Sequence, residues 1–387
     1  MALTKVDPTV VDDQVIGRRN LIINGDMRVA QRGTSTTTNG SYTCDRFYND
    51  YNGGTVTYAQ SALSSSDTPY SHGFRSAVKI TNTSAGSDAA ANYVRFQQKI
   101  EATNLANSGW NYTSATSFVT LSFWVKSSLA GTYAIQIYNV DSGAKSYSFE
   151  FTLSANTWTK VTHAIKGDSG VVINDDSGEG LAVHFFVHAG TNYSTSGHTN
   201  EAWQTYSGSD QVKDYGQSWS ATASATFEIT GLQLEVGSQA TTFEYRSLTD
   251  EINLCQRYYE QSCGIEKDMK TTTDYYASNT SQKYNYQGFT AYNNGLGYVP
   301  ATSYRIQKRT IPTVTLHTGT GLVSGSPSAN QVLIWRGGTW VYGAGNVTTW
   351  ASSEASLSFH ATYPSISGGN ETTSQLIIYG WVADAEL

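Results

Sequence analysis

The run FVTLSFWVKSS, Phe118 to Ser128, alternates: Val119, Leu121, Phe123 and Val125 fall on one face of an extended chain, and Thr120, Ser122, Trp124 and Lys126 on the other. A period of two over this length predicts a strand with one face in a core. Outward from it, between Leu21 and about Arg246, short apolar runs recur between Gly, Ser, Asn and Asp clusters. This is the rhythm of an antiparallel sandwich rather than of βαβ units. The pattern breaks at EYRSLTDEINLCQRYYEQSCG, Glu244 to Gly264, which reads as a helix. Ser247 and Asp250 have capping-box-like spacing, Gly264 is a stop, and Leu248, Ile252, Cys255 and Tyr259 form one stripe. Beyond it the strand rhythm returns, with Gly337-Gly338 in QVLIWRGGTWVYG placed to make a primed hairpin turn. The expected class is therefore all-β: a jelly-roll β-sandwich, a short helix and a second β-sandwich-like domain. The boundaries are an arm at 1–19, a first domain at 20–246, a helical linker at 247–265 and a carboxy-terminal β-domain at 266–387.

Composition narrows the function classes. Of 387 residues, 39% are hydrophobic and only 14% charged, while Tyr (26) and Trp (9) are plentiful, which suits sandwiches with neutral polar surfaces. A net charge of −7 speaks against a surface that tracks phosphates, so no nucleic-acid partner is expected. Cys44, Cys255 and Cys263 have no metal-ligand spacing and cannot all pair, so they read as reduced thiols. The first 19 residues have no apolar signal core, and no stretch is long enough to span a bilayer, so no membrane insertion is expected. These residues are also too polar to join a core and read as an arm that orders only on a partner.

Four stretches resemble one family when taken together: NLIINGDMRVAQRGTS at Asn20 to Ser35, YTCDRFY at Tyr42 to Tyr48, FEITGLQLEVGSQATTFEYRSLTDEINLCQRYYE at Phe227 to Glu260, and the closing WVADAEL. They are similar to bacteriophage virion appendage proteins, meaning tail-fibre or adhesin subunits with a jelly-roll domain like that of carbohydrate-binding modules. KRTIPTVTL at Lys308 to Leu316 resembles the strand pattern of the family's carboxy-terminal half. The resemblance implies a homotrimeric virion protein, assembled in the bacterial host cytoplasm. It would attach to other virion proteins through residues 1–19 and bind a host-surface glycan. It further implies that NLIINGDM is the first jelly-roll strand, with GLQLEVG as the last lying near it. Modules of this shape hold a structural calcium there, and Asp26 and Glu235 are the acids present. Arg28 stands where such modules carry Glu, and a guanidinium repels a divalent cation.

A sugar-binding face needs flat aromatics and planar polar groups on a rigid sheet. Trp124 lies among polar neighbours, Tyr138 shares a face with Gln136, and His184, Phe186 and His188 alternate with apolar Val183, Phe185 and Val187. If these faces line one concave sheet they form a groove; otherwise a loop or neighbouring subunit covers them. Without a third ligand nearby, His184 and His188 do not make a metal site. The long run from Thr191 to Trp219 carries Trp203, Tyr206, Tyr215 and Trp219 among Gly, Ser and Asn, the composition of adaptable recognition loops. Asp168, Asp175, Asp176 and Glu179 raise the possibility of glycoside hydrolysis, but they sit in a loop that solvates charge, and no nucleophile elbow, phosphate loop or zinc-protease motif occurs. The expectation is a non-enzymatic adhesin. A purely architectural or decorating subunit comes second and a glycan depolymerase third.

Overall fold

The structure, a computed structural model, describes residues 19–141, 143–214, 216, 218–262, 285–292, 296–317, 333–336, 339–342, 348–362 and 375–387. The chain divides into two units, the first holding 34–248 and the segment before residue 29, the second 29–33 and 249–386. Ten long strands build the first unit: β1 (Phe47–Asn52), β2 (Thr55–Ala62), β3 (Ser76–Ser84), β4 (Tyr93–Glu101), β5 (Phe118–Ser127), β6 (Gly131–Asn139), β7 (Lys145–Leu153), β8 (Thr159–Lys166), β9 (Glu179–Ala189) and β10 (Thr226–Val236). One sheet runs Ser35–Thr36, β2, β3, β10, β5, β8, and the other Gln204–Thr205, β7, β6, β9, β4, β1, Ser41–Tyr42. Apart from the hairpins β2–β3 and β6–β7, every link between consecutive strands passes from one sheet to the other. That crossing pattern makes the sandwich a jelly roll.

The alternation of β5 decides which way each side chain points. Val119, Leu121, Phe123 and Val125 are fully buried between the sheets, as are Val183, Phe185 and Val187 of β9. Phe123 meets Phe185 edge-on across the core, with ring centroids 5.2 Å apart. Each such side chain contributes about 1.5–3 kcal/mol by leaving water. The opposite faces of the same strands are left to carry function.

Leu21 to Met27 is buried but is not a strand, contrary to the expectation from the resemblance. Side chains join two isolated backbone bonds in satisfying its peptide groups, Asn20 accepting from the amide of Ile22. Asn20 accepts from the amide of Leu234 and donates to the carbonyl of Leu232, and Gln98 both accepts from and donates to Ile23. The Asn24-Gly25 turn lies against β10, where a Cβ on Gly25 would come within 2.1 Å of the Leu232 oxygen. Only glycine permits so close a backbone approach. GLQLEVG does form the end of β10 beside this segment, with Leu21 N donating to Leu234 O at 2.8 Å.

Glu244 fastens the entry to this segment by accepting from the amides of Arg19 (3.0 Å) and Asn20 (2.9 Å). Partial burial alone would raise its pKa, but those amides and the guanidinium of Arg246 outweigh it and hold the carboxyl below its ordinary value. Asp67 is also held low: desolvation is outweighed by hydrogen bonds from Trp158 and Ser64 and by the charge of Lys126. A carboxyl depressed in the folded state stabilises it fully above the unfolded pKa, and that contribution is lost as pH falls through the folded value. The urea midpoint is therefore expected to fall on acidification below about pH 4. Glu244→Gln should flatten that profile, and an unchanged profile would deny Glu244 this role.

In the second unit, α1 (Leu248–Gln256) ends well before Gly264, which lies outside the described residues. Tyr259, expected on the helix stripe, instead opens strand β11 (Tyr259–Gln261), which pairs with β12 (Gln375–Asp384), Tyr259 opposite Asp384. Burial explains the early stop: Tyr258, Tyr259 and Glu260 are all enclosed, whereas Leu248 is 45% exposed. β12 is the hub of a nine-stranded antiparallel sheet. Leu333–Arg336 and Thr339–Tyr342 pair antiparallel with Arg336 opposite Thr339, the Gly337-Gly338 link itself lying outside the described residues. Residues 29–33 belong to this unit. Gln31 donates to the carbonyl of Tyr259, Gln261 donates back to that of Gln31, and Arg32 lies 3.6 Å over the Tyr259 ring and 3.0 Å from Glu386. The opening motif is thus partitioned, its apolar part in the jelly roll and its Val29–Gly33 part in the second unit.

Candidate functional site

The outer face of the seven-stranded sheet is built by alternation on β4, β6 and β9. Tyr93, Arg95, Gln97 and Lys99 project outward from β4, while Val94, Phe96 and Ile100 enter the core. On β9, His184 stands opposite Gln97 and also opposite Gln136 of β6. Arg95, Gln97, Lys99 and His184, with Tyr138, Glu179 and Tyr206, line an open cavity of about 230 Å³.

Its charges come in matched pairs. Lys99 lies 2.9 Å from Glu179, and Arg95 is bound to Asp50. Tyr138 and Tyr206 meet edge-on at 4.8 Å, and Tyr138 lies over His184 at 5.9 Å. Burial, reinforced by the cations Arg95 and Lys99, pushes the His184 pKa well below its usual value, so the ring is neutral at physiological pH. Its Nδ1 lies 3.1 Å from Gln136 Oε1. Gln97 makes no hydrogen bond among the described residues, leaving a planar amide free at the cavity wall.

The loop after β9 covers the rest of this face. Gln204–Thr205 pairs with the edge of β7, and Val212 packs with Ala134, Phe186 and Ala189. Gln136 donates to the carbonyl of Gln211 at 3.0 Å. Phe186 is 1% exposed, packed with Val212 of the loop, and His188 is buried, so neither presents its ring to an open sugar-binding surface. Trp203 packs partly against the core, its indole N–H donating to Lys166 O at 2.7 Å. Trp219, expected as a contact residue, lies fully enclosed between the sheets. Tyr215 lies outside the described residues. Of the described loop aromatics, Tyr206 is the one that reaches the cavity.

Trp124 does not share this groove. β5 belongs to the six-stranded sheet, so its outward face is on the other side of the sandwich from Tyr138 and His184. The contribution that sequence reasoning missed is that of β4. Its Arg95, Gln97 and Lys99 alternate with apolar residues in YVRFQQKIE, a signal as legible as that of β9.

Asp26 and Glu235 are both engaged by groups of the protein itself. Asp26 is bound to Arg28, and Glu235 accepts from Gln233 (2.8 Å), the Thr241 amide (2.8 Å) and the Thr241 hydroxyl (2.6 Å), with Arg19 3.4 Å away. Calcium needs six to eight oxygen ligands, whereas a guanidinium already sits on Asp26 and three protein donors occupy Glu235. No group of three acids, His or Cys suited to a metal occurs among the described residues.

The acid cluster is spent on loop structure. Asp168 and Asp176 accept from the amides of Gly170 and Gly178, Asp175 from Thr103 and Asn107, and Glu179 pairs with Lys99. Ser148, His198 and Asp210 stand in the order of a hydrolase triad, with Ser148 Oγ against Nε2 and Asp210 Oδ1 2.7 Å from Nδ1. Ser148 is 1% exposed and also lies 3.0 Å from Asn200 Oδ1. The hydroxyl is a pin holding the loop to β7 rather than an approachable nucleophile.

No protein-family model and no curated protein matches the chain. Several solved structures are similar to part of it. The enzymatically active domain of bacteriophage CBA120 tailspike protein 4 is 13% identical (TM-score 0.31), over 56% of this chain and 21% of that one. A candidate sugar-binding protein from Bacteroides thetaiotaomicron is 14% identical (TM-score 0.32), over 57% and 100%. A family 11 carbohydrate-binding module from Clostridium thermocellum, solved with a mixed-linked tetrasaccharide, is 10% identical (TM-score 0.27), over 54% and 98%. This chain therefore spans about a fifth of the tailspike domain and all of the Bacteroides protein.

Proposed function

We propose that this chain is a non-enzymatic glycan-binding protein and that its jelly roll holds a neutral sugar on the outer face of the seven-stranded sheet. The observation that carries this is the cavity between β4, β6 and β9: its charges are neutralised in pairs, a free planar amide lines it and two tyrosines edge it. Sugar hydroxyls need planar donors and acceptors, while C–H faces need aromatic rings. The resemblance of the framework motifs supports a virion appendage that adheres to its host as the setting for this binding. Residues 1–19 would attach it to the particle, and a homotrimer would multiply weak single-site contacts.

Glycan-array binding by the full chain, followed by titration of Gln97→Ala and Tyr206→Ala, tests this reading. Each variant should weaken the captured glycan about tenfold, because one hydrogen bond or ring contact is lost. Melting should be little changed, since both side chains border an open cavity. An array without hits, or variants that bind normally, would leave the sandwich an architectural part of the particle.

A further inference from the structure

We propose that the outer face of the six-stranded sheet carries a second, separate site, for a pyranose bearing a carboxylate. This inference does not depend on the neutral-sugar reading of the opposite sheet. A cavity of about 290 Å³ lies there, against β5, β8 and the 240–245 segment, close to the lower end of the usual range for ligand sites, roughly 300–1,000 Å³.

The cavity is built rather than incidental. β10 bulges between Thr230 and Gln233, and Gly231, with φ of 66°, lies in the bulge. A Cβ at Gly231 would come within 2.6 Å of the Phe74 ring, so the glycine lets Phe74 lie flat against the strand and floor the cavity. Phe74 packs edge-on against Phe243 at 4.9 Å, and Phe243 likewise against Tyr245. The Tyr245 hydroxyl donates to the carbonyl of His72, whose ring lies 5.0 Å from that of Trp124. Tyr245 is 48% exposed and Trp124 half-buried. Two aromatic walls, each fixed by its neighbours, are thus presented to solvent.

The polar groups decide the ligand. No carboxylate lines the cavity. Lys160 stands directly across from Trp124 on β8 and has no ion pair or hydrogen bond among the described residues. Asp67, on the same side of the sandwich, is taken up by Lys126, Trp158 and Ser64. The Ser122 hydroxyl and the Trp124 indole N–H likewise have no protein partner among the described residues. An ammonium, a hydroxyl and an indole N–H around aromatic walls suit a ring with stackable C–H faces and an anionic substituent. A uronic acid unit has both. The opposite cavity, with each cation paired to a carboxylate, has no such preference.

Calorimetric titration of the full chain with an α-1,4-linked galacturonic acid trimer and with the neutral galactose trimer of the same linkage separates the outcomes. The acid trimer should bind about tenfold tighter than the neutral one, with the advantage shrinking as salt is added. Lys160→Ala should remove the preference and Lys160→Arg retain it. Trp124→Ala should weaken both trimers. Equal affinity for the two trimers, no binding of the acid trimer, or a preference surviving Lys160→Ala would each overturn the proposal. So would loss of acid-trimer binding in Gln97→Ala, which lies on the other face.

Discussion

Trp219→Ala is expected to lower the stability of the first unit by about 3–5 kcal/mol, the typical cost of emptying a fully packed aromatic position. The indole is wholly enclosed in the main apolar cluster, and its backbone is fixed as well: Asn82 donates to the carbonyl of Trp219 at 3.1 Å. The loss comprises the transfer of the ring to water plus a cavity that rigid sheets cannot close. A large drop in melting temperature measured by calorimetry, together with unaltered binding per folded molecule, is the expected signature. A variant that melts normally would place Trp219 outside the core. The contrast with Tyr206 is instructive, because both lie in the same aromatic-rich stretch and only one is expected to act on a ligand.

The other large effect belongs to the second unit. Lys308 and Glu260 are both fully enclosed and 2.5 Å apart; the ammonium also donates to the carbonyls of Gln256 and Ile306 and lies 4.9 Å from the Tyr304 ring centre. Desolvation lowers the lysine's pKa, and Glu260 opposes that shift. Removing one member strands the other charge, so Lys308→Met is expected to cost about 3–5 kcal/mol. Adding Glu260→Met should restore much of this, because a well-packed apolar pair of similar size avoids the desolvation cost altogether. Calorimetry on the single and double variants checks the sign of the coupling. If the double variant is no better than the single, the pair is not what Lys308 contributes.

The sequence made the two-faced strands readable because their periodicity is local. Val119 to Val125 and Val183 to Val187 enter the core as their alternation predicts, and the same alternation sets Tyr138 and His184 on one outer face. Coverage is a non-local property, and there local reading gave out. Nothing in GLAVHFFVHAG says that Val212, some 25 residues on, will lie over Phe186, or that His198 will be pinned to Ser148. Tryptophans in a Gly- and Ser-rich stretch look alike whether they face water or fill a cavity, and Trp219 is of the second kind. Alternation also cannot say which of two sheets a strand joins, so Trp124 was grouped with side chains from the opposite face. The NLIING segment failed as a strand for a different reason: beside two isolated backbone bonds to β10, Asn20 and Gln98 supply hydrogen bonds that a full ladder would have supplied, and side-chain satisfaction leaves no period in the sequence.

The partition of the opening motif bears on the order in which the protein can be made. Gln31 and Arg32 leave the ribosome long before the groups they bind: Tyr259 and Gln261 in β11, and Glu386, 354 positions away. During synthesis the jelly roll can collect all its long strands by residue 236, whereas the second unit cannot engage Val29–Gly33 fully until β12 has been made. Closing so long a loop adds only modestly to the entropic cost of folding, but it slows the search. Until β12 arrives, Val29–Gly33 remains an unsatisfied stub, and a nascent chain interrupted before that point is expected to carry a finished first unit and an open second one.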